Sequence, residues 1–368
     1  MFGDRLKLAR KRAGYSLRSL STALDGEVSA QAIGKYERGE MMPGSGVLTR
    51  LCRTLGVSPE YLLSEQVEEL EAVEFRKLSG TSAGDRARVE AEVIDALQRY
   101  LAIEEILEID SGAWREPGCR NRFVGREEEG EILADELRED WELGIDPIPN
   151  MTALLEDRGI KVLVMPLPGR VSGLTCLVRR PRQKSKVPVI VVNRDVTLER
   201  RRLTLAHELA HRLIDEESPV DHEKASTVFA GAFLIPRDHL LREVVQKGGV
   251  RRNALGYREI VHLKRTYRVS AAALLMRLKQ VEVIDEATLI YAFQTFARGW
   301  RSAEPDPLER DGEEGLHELP RRFERLCYWA LAERLISPGK AGELLQQSQA
   351  EIEQGLSGPA EADADHRQ

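Results

Sequence analysis

The run LTLAHELAHRLI, residues 203–214, constrains this chain more than any other stretch. It sets His207 and His211 four residues apart, with Glu208 directly after the first, in an otherwise apolar segment. On a helix, four residues at ~1.5 Å rise put the two imidazoles about 6 Å apart on one face. Both rings then reach one metal ion at ~2.0–2.1 Å. Glu208 stands roughly 100° around the helix, where it can draw a proton from an ion-activated water without filling a coordination position. H-E-x-x-H on a helix therefore points to zinc (Zn2+) and peptide hydrolysis, with His207 and His211 as ligands and Glu208 as the catalytic base. The competing reading is a core helix carrying two half-buried histidines. The apolar neighbours Leu203, Leu205, Ala206, Leu209, Ala210 and Leu213 favour the metal, because they supply the water-poor setting such hydrolysis needs.

A catalytic zinc site takes three protein ligands and keeps the fourth position open. A third histidine further along the same run is excluded, since Ile214 and Glu217 stand where glycine and histidine would be needed. The next candidates are Asp221, His222 and Glu223, at the start of a helix expected over 221–236. Periodicity does not choose among them: His222 and Glu223 both border the apolar face that holds Phe229 and Phe233.

A chain of 368 residues has room for two or three domains. Its net charge of −7 is uneven: residues 1–63 hold ten Lys/Arg against six Asp/Glu, a balance of +4, leaving −11 for the rest. A basic head on an acidic body implies that only the head meets a polyanion. No apolar run approaches the ~20 residues of a membrane span, so no membrane partner is expected. The opening MFGDRLKLARKRAG lacks the apolar stretch of a secretory signal after it. Cys52, Cys119, Cys176 and Cys327 form no C-x-x-C pair, which argues against a disulfide framework and fits a cytoplasmic location.

Turn and cap signals divide residues 1–63 into five short helices. Gly14 ends the first, Ser16 caps the second, Ser29 caps a third running to about Arg38, Gly56 closes a fourth, and Ser58-Pro59 opens a fifth. Residues 64–144 read as a helical linker region, with a linker at about 64–83 and a packing helix over 85–109. That helix carries Val89, Val93, Leu97 and Leu101 along one face. KVLVMPL (161–167), GLTCLVRR (173–180) and VPVIVVN (187–193) then form a small sheet with antiparallel pairs. Residues from about 197 to 350 are helical, with 291–350 a helical C-terminal region whose Phe323, Leu326, Trp329 and Leu335 pack or dimerise. Residues 356–368 read as a disordered tail. The expected fold class is mainly α with a small β-sheet (α+β): an all-α N-terminal domain, a zincin-like domain and a helical C-terminal region.

The stretch VIVVNRDVTLERRRLTLAHELAHRLI resembles the ImmA/IrrE family of zinc metallopeptidases, in which a strand ending in Asn precedes R-x-R-[FL]-T-x-A-H-E-x-x-H. The block EKASTVFAGAFLIP resembles that family's E-x-x-A-N-x-F-A-x-x-L-L-x-P. The resemblance implies Glu223 as the third zinc ligand, with His222 as the fallback. Ser226 and Thr227 depart from the family's Ala-Asn, while Arg202 and Thr204 match its residues before the motif. The likeness covers about residues 145–285, within a domain bounded at 145–290.

Residues 5–63 resemble the Cro/phage-repressor (XRE) helix-turn-helix, most clearly in I-x-x-[YI]-E-R-G-x-x-x-P: Ile33, Tyr36, Glu37, Arg38, Gly39 and Pro43. Val28, Ile33 and Tyr36 are expected to face inward, and Ala30, Gln31, Gly34 and Lys35 outward. The resemblance implies double-stranded operator DNA as partner, bound by a homodimer, with Arg18, Ser29, Gln31, Lys35 and Arg38 as contact residues. Gln31 suits adenine; Lys35 and Arg38 suit guanine or phosphate. Leu17 replaces the Gln that usually steadies the DNA backbone, with Arg18 or Ser19 as substitutes. A helical bundle used only for protein contact is the competing reading.

Together these features lead to the expectation of a DNA-binding transcriptional regulator carrying a zinc endopeptidase domain. Its protein substrate would be a helix-turn-helix repressor, a toxin-like partner or this chain itself. The alternative is a non-proteolytic repressor or antitoxin whose metallopeptidase-like domain senses a ligand or partner.

Overall fold

A computed structural model describes residues 2–63, 69–74, 82–109, 114, 116–168, 171–179, 186–244, 256–300, 303–309 and 317–357. Five helices open it: α1 (Phe2–Arg12), α2 (Leu17–Ala23), α3 (Ala30–Glu37), α4 (Ser45–Leu55) and α5 (Pro59–Leu63). Their starts follow the cap chemistry. Ser16 and Ser19 form a reciprocal capping box at α2, and the Ser29 hydroxyl accepts from Ala32 N at α3. Gly56 closes α4 in the left-handed conformation that glycine adopts without strain. Leu6, Leu20, Ile33, Leu51 and Leu62 make the bundle core. The Glu of the E-R-G signature has a structural role: Glu37 receives two bonds from Arg10, at 2.6 and 2.9 Å, tying α3 to α1.

Gly34 differs from its expected outward position. It is buried, with Arg38 Nη1 3.2 Å and Leu17 of α2 3.8 Å from where a Cβ would stand.

The second body is built on β1 (Glu69–Glu74), α6 (Ala83–Ile106), α7 (Glu129–Asp140), α8 (Met151–Asp157), β2 (Lys161–Met165), β3 (Gly173–Arg179) and β4 (Lys186–Asn193). After them come α9 (Leu198–Leu213), α10 (His222–Leu234), α11 (Arg237–Val244), α12 (Tyr257–Tyr267), α13 (Ala271–Gln280) and α14 (Glu286–Gln294). The chain continues through α15 (Arg322–Ala332), α16 (Pro338–Leu345) and α17 (Gln349–Ser357). The sheet runs β1-β3-β4-β2, antiparallel except for the parallel β2–β4 pair. The sequence pattern did not distinguish that parallel pair. The segment read as a linker contributes β1 at the sheet edge. Of the tail, Leu356 and Ser357 end α17 and the rest lies outside the described residues.

β4 is central and covered on both faces, which explains its unbroken apolar run. Val189 and Val191 face α6, while Ile190 and Val192 face the larger helical core containing Leu205, Leu209, Phe229 and Phe233. α6 serves three neighbours from one helix. Val89, Val93, Leu97 and Leu101 lie on the sheet, and Tyr100 and Ile103 pack with Leu326, Cys327 and Leu344 of the C-terminal helices. Asp95 meets Arg12 of α1 at 2.8 Å, and Gln98 accepts from Arg5. The helix-turn-helix bundle is thereby braced against the sheet body. Of the four C-terminal apolar residues singled out above, Leu326 is buried and Phe323 stacks on Tyr100 at 5.2 Å, whereas Trp329 and Leu335 remain exposed.

Candidate metal centre

α9 begins at Thr197, whose hydroxyl accepts from Arg200 N, and buries Leu205, Ala206, Leu209, Ala210 and Leu213 completely. Its base is held by charge. Arg201 and Arg202 are among the largest fully buried side chains; Arg202 donates to Glu318 at 2.6 Å and to Ile148 O at 2.7 Å. Arg201 is paired with Glu309 at 3.2 Å. Removing one partner from such a pair costs about 3–5 kcal/mol, so these contacts fix the helix firmly. Arg202, which matches the family's residues before the motif, acts on the helix position and not on the site itself.

The other matching residue, Thr204, explains how closely α9 approaches the sheet. A Cβ at Gly173 would fall 2.5 Å from Thr204 Cγ2 and 3.3 Å from Glu208 Cγ. Only glycine lets the start of β3 lie this close to the motif. Glu208 is consequently enclosed, at 2% exposure.

His207 and His211 lie at the rim of the core, and the turn after α9 returns the chain as α10. The Asp221 side chain caps α10 through Glu223 N and Lys224 N, which fixes the first turn bearing Glu223. The two histidine Nε2 atoms are 3.2 Å apart. Glu223 oxygens stand 3.3 Å from His207 Nε2 and 3.4 Å from His211 Nε2. Ligand atoms bound at ~2.0–2.1 Å around a tetrahedral zinc stand roughly 3.3–3.4 Å from one another. Each imidazole nitrogen thus faces its own Glu223 oxygen, Oε2 for His207 and Oε1 for His211, and the cluster of two imidazoles and one carboxylate has the spacing and donor chemistry of a catalytic zinc site; among the described residues it is the group that could hold a metal. His222 is turned away, with Nε2 3.2 Å from Ser218 O, and Asp221 is engaged in the cap.

Ser226 and Thr227, the departures from the family pattern, lie one turn beyond Glu223 behind the imidazoles. Ser226 Oγ is 3.4 Å from His211 Nδ1, and Thr227 Oγ1 is 3.4 Å from His207 Nδ1. The Thr227 hydroxyl donates to Glu223 O at 2.8 Å, so toward His207 it can only accept. That arrangement favours the tautomer with hydrogen on Nδ1 and leaves the Nε2 lone pair directed at the centre. The signal for these residues was available in the sequence, because positions three and four after Glu223 share its helix face.

A cleft of about 640 Å³ opens beside His207, between α9, α10 and α13, with Ser172 at the start of β3 on its edge. On the N-terminal bundle, Arg18, Gln31, Lys35 and Arg38 are exposed. Arg38 is held by Glu40 at 2.5 and 3.1 Å, which raises its pKa. The Ser29 hydroxyl is occupied as the α3 cap.

Comparison with known proteins finds matches to two separate stretches of the chain. Residues 155–279 match the IrrE N-terminal-like domain of peptidase family M78, and residues 6–62 match a helix-turn-helix family model. The SPbeta prophage-derived uncharacterized HTH-type transcriptional regulator YonR of Bacillus subtilis (strain 168) is 34% identical over 109 residues, 29% of this chain and 99% of that protein. No solved structure matches the chain. The chain belongs to the XRE-type helix-turn-helix family of regulators and carries an IrrE-type domain of the M78 peptidase family joined to its helix-turn-helix.

Proposed function

We propose that the protein is a cytoplasmic, homodimeric DNA-binding regulator whose second domain is a zinc endopeptidase acting on a partner regulator or toxin-like protein. The observation that carries this reading is the 3.2–3.4 Å triangle of His207, His211 and Glu223 with enclosed Glu208 beside it. Zinc held there supplies a Lewis acid that lowers the pKa of water toward ~7 and polarises a carbonyl. Glu208 takes the proton from the attacking water. The water's hydroxyl goes to the carbonyl carbon, the C–N bond breaks, and Glu208 is placed to hand the proton to the departing amine. Thr227 and Ser226 hold the imidazoles in the ligating orientation, and the buried α9 face closes the centre from behind while Glu223 stands half exposed on its open side.

On the bundle, the exposed Gln31 and Lys35 on α3 suit base-edge and phosphate contacts, and Arg18 at the start of α2 is exposed as well. Arg38 reaches DNA only by leaving Glu40.

The test combines metal content with cleavage of candidate regulators. Wild type should hold one zinc and cut its substrate, while Glu208→Ala should hold zinc and lose cleavage by about 100-fold or more. Stoichiometric zinc without any cleavage by wild type would favour the ligand-sensing, non-proteolytic reading.

A further inference from the structure

The cleft beside His207 is assembled from helix faces one turn long. Leu203 and His207 come from α9, Thr227 and Gly231 from α10, and Ala273 and Met276 from α13. Its apolar roof is Phe293 and Trp300, the latter propped by Phe296 at 5.4 Å and Tyr257 at 6.3 Å. Both roof residues lie beyond residue 279, where the match to the family domain ends. The roof is thus contributed by residues outside the matched domain. Two of the charged lining residues are tied up in bonds of their own: Arg200 is turned onto Ser172 Oγ at 2.9 Å, and buried Arg277 is held by Glu131 and Ile235 O. Gly231 is the open spot in the wall. A Cβ there would meet nothing closer than Gln280 Oε1 at 3.7 Å, an ordinary contact, and its backbone is helical.

We propose that this cleft receives one large apolar side chain, of phenylalanine or leucine size, adjoining the scissile bond of an extended polypeptide, with Gly231 and Trp300 setting that preference. The inference rests on the peptidase reading and deepens it by naming the substrate class. Three features argue for this occupant. The cleft is continuous with the His207 side of the metal centre. Its volume of about 640 Å³ accommodates a large side chain with the backbone on either side of it. Its exposed lining is mainly apolar, with Leu203, Ala273, Met276, Phe293 and Trp300 among the residues that form it. The small residues Gly231, Ala272 and Ala273 create the space, and a bulky residue at any of them would remove it.

Binding and cleavage are measured separately. The full chain bearing Glu208→Gln, loaded with zinc, is titrated calorimetrically with acetylated, amidated hexapeptides of alanine carrying one central Phe, Leu or Ala. The Phe and Leu peptides should bind at least about tenfold more tightly than the Ala peptide. Adding Gly231→Phe should reduce that ratio below about twofold, with Gly231→Leu as a smaller filler if the first variant loses its zinc or its thermal transition. Trp300→Ala should lower the ratio without altering zinc content. Equal binding of the peptides, or a ratio that survives filling at Gly231, overturns the proposal. Wild-type cleavage of the same peptides decides the other question. A Phe preference in binding without any cleavage leaves the pocket standing and removes the peptidase, whereas cleavage without preference does the reverse.

Discussion

The two functional regions of this chain are built on opposite principles. On the N-terminal bundle the candidate DNA contacts Gln31, Lys35 and Arg18 are exposed, and only the faces behind them are packed. In the second body Glu208 and the two imidazoles are held from behind, while Glu223 stands half exposed. α9 is pinned by buried Arg201 and Arg202, Glu208 is enclosed against Gly173, and the imidazoles are backed by Ser226 and Thr227. A base-reading surface gains its final geometry from the DNA, so freedom there costs little. A metal centre has to hold ligand atoms within a few tenths of an ångström, so its neighbours carry much of its energy.

That contrast can be broken at either end. The largest effect is expected from His211→Ala: zinc affinity should fall by more than the ~100-fold seen on losing an outer partner, while operator binding stays within twofold. A parallel loss of DNA binding in gel-shift assays would show the two regions to be one cooperative unit. Next comes Thr227→Val, which keeps the shape and removes the hydroxyl; chelator competition should show zinc bound about 10–100-fold more weakly. An unchanged zinc affinity would mean the hydroxyl behind His207 is incidental. The smallest effects belong to the exposed face. Gln31→Ala should cost about 1–3 kcal/mol at a single base position, and Lys35→Ala should weaken all sequences alike and lower the salt slope by about one unit.

How much of this was legible in the sequence depends on whether the geometry was local. His207, Glu208 and His211 lie on one helix, so spacing alone brought them together. Glu223 lies on the next helix, and its distance from the histidines is set by the α9–α10 packing, which periodicity does not contain. Only the family resemblance separated it from His222. Ser226 and Thr227 looked like departures from a pattern; in the structure they face the rings. Glu69–Glu74 is composed of Glu, Leu, Ala and Val, three of them helix-favouring, and becomes a strand because the edge of β3 is available to it. Gly34 is buried against the outward expectation because the Arg38 guanidinium folds back over it, with Leu17 of α2 a little further off. The cleft was invisible, since its walls come from segments that meet only in the fold.

The docking of α1 on α6 has a consequence for the operator. Arg5 and Arg12 lock the bundle to a helix that is itself clamped by the sheet and the C-terminal helices, so α3 has no swivel of its own. In a homodimer, the separation and relative rotation of the two recognition helices are then fixed by the bodies that carry them. One base pair inserted between half-sites turns the second by roughly 35° around the duplex axis and moves it by about 3.4 Å. A tethered bundle would absorb that change; a braced one meets it as strain, and such a protein measures its operator like a rigid caliper.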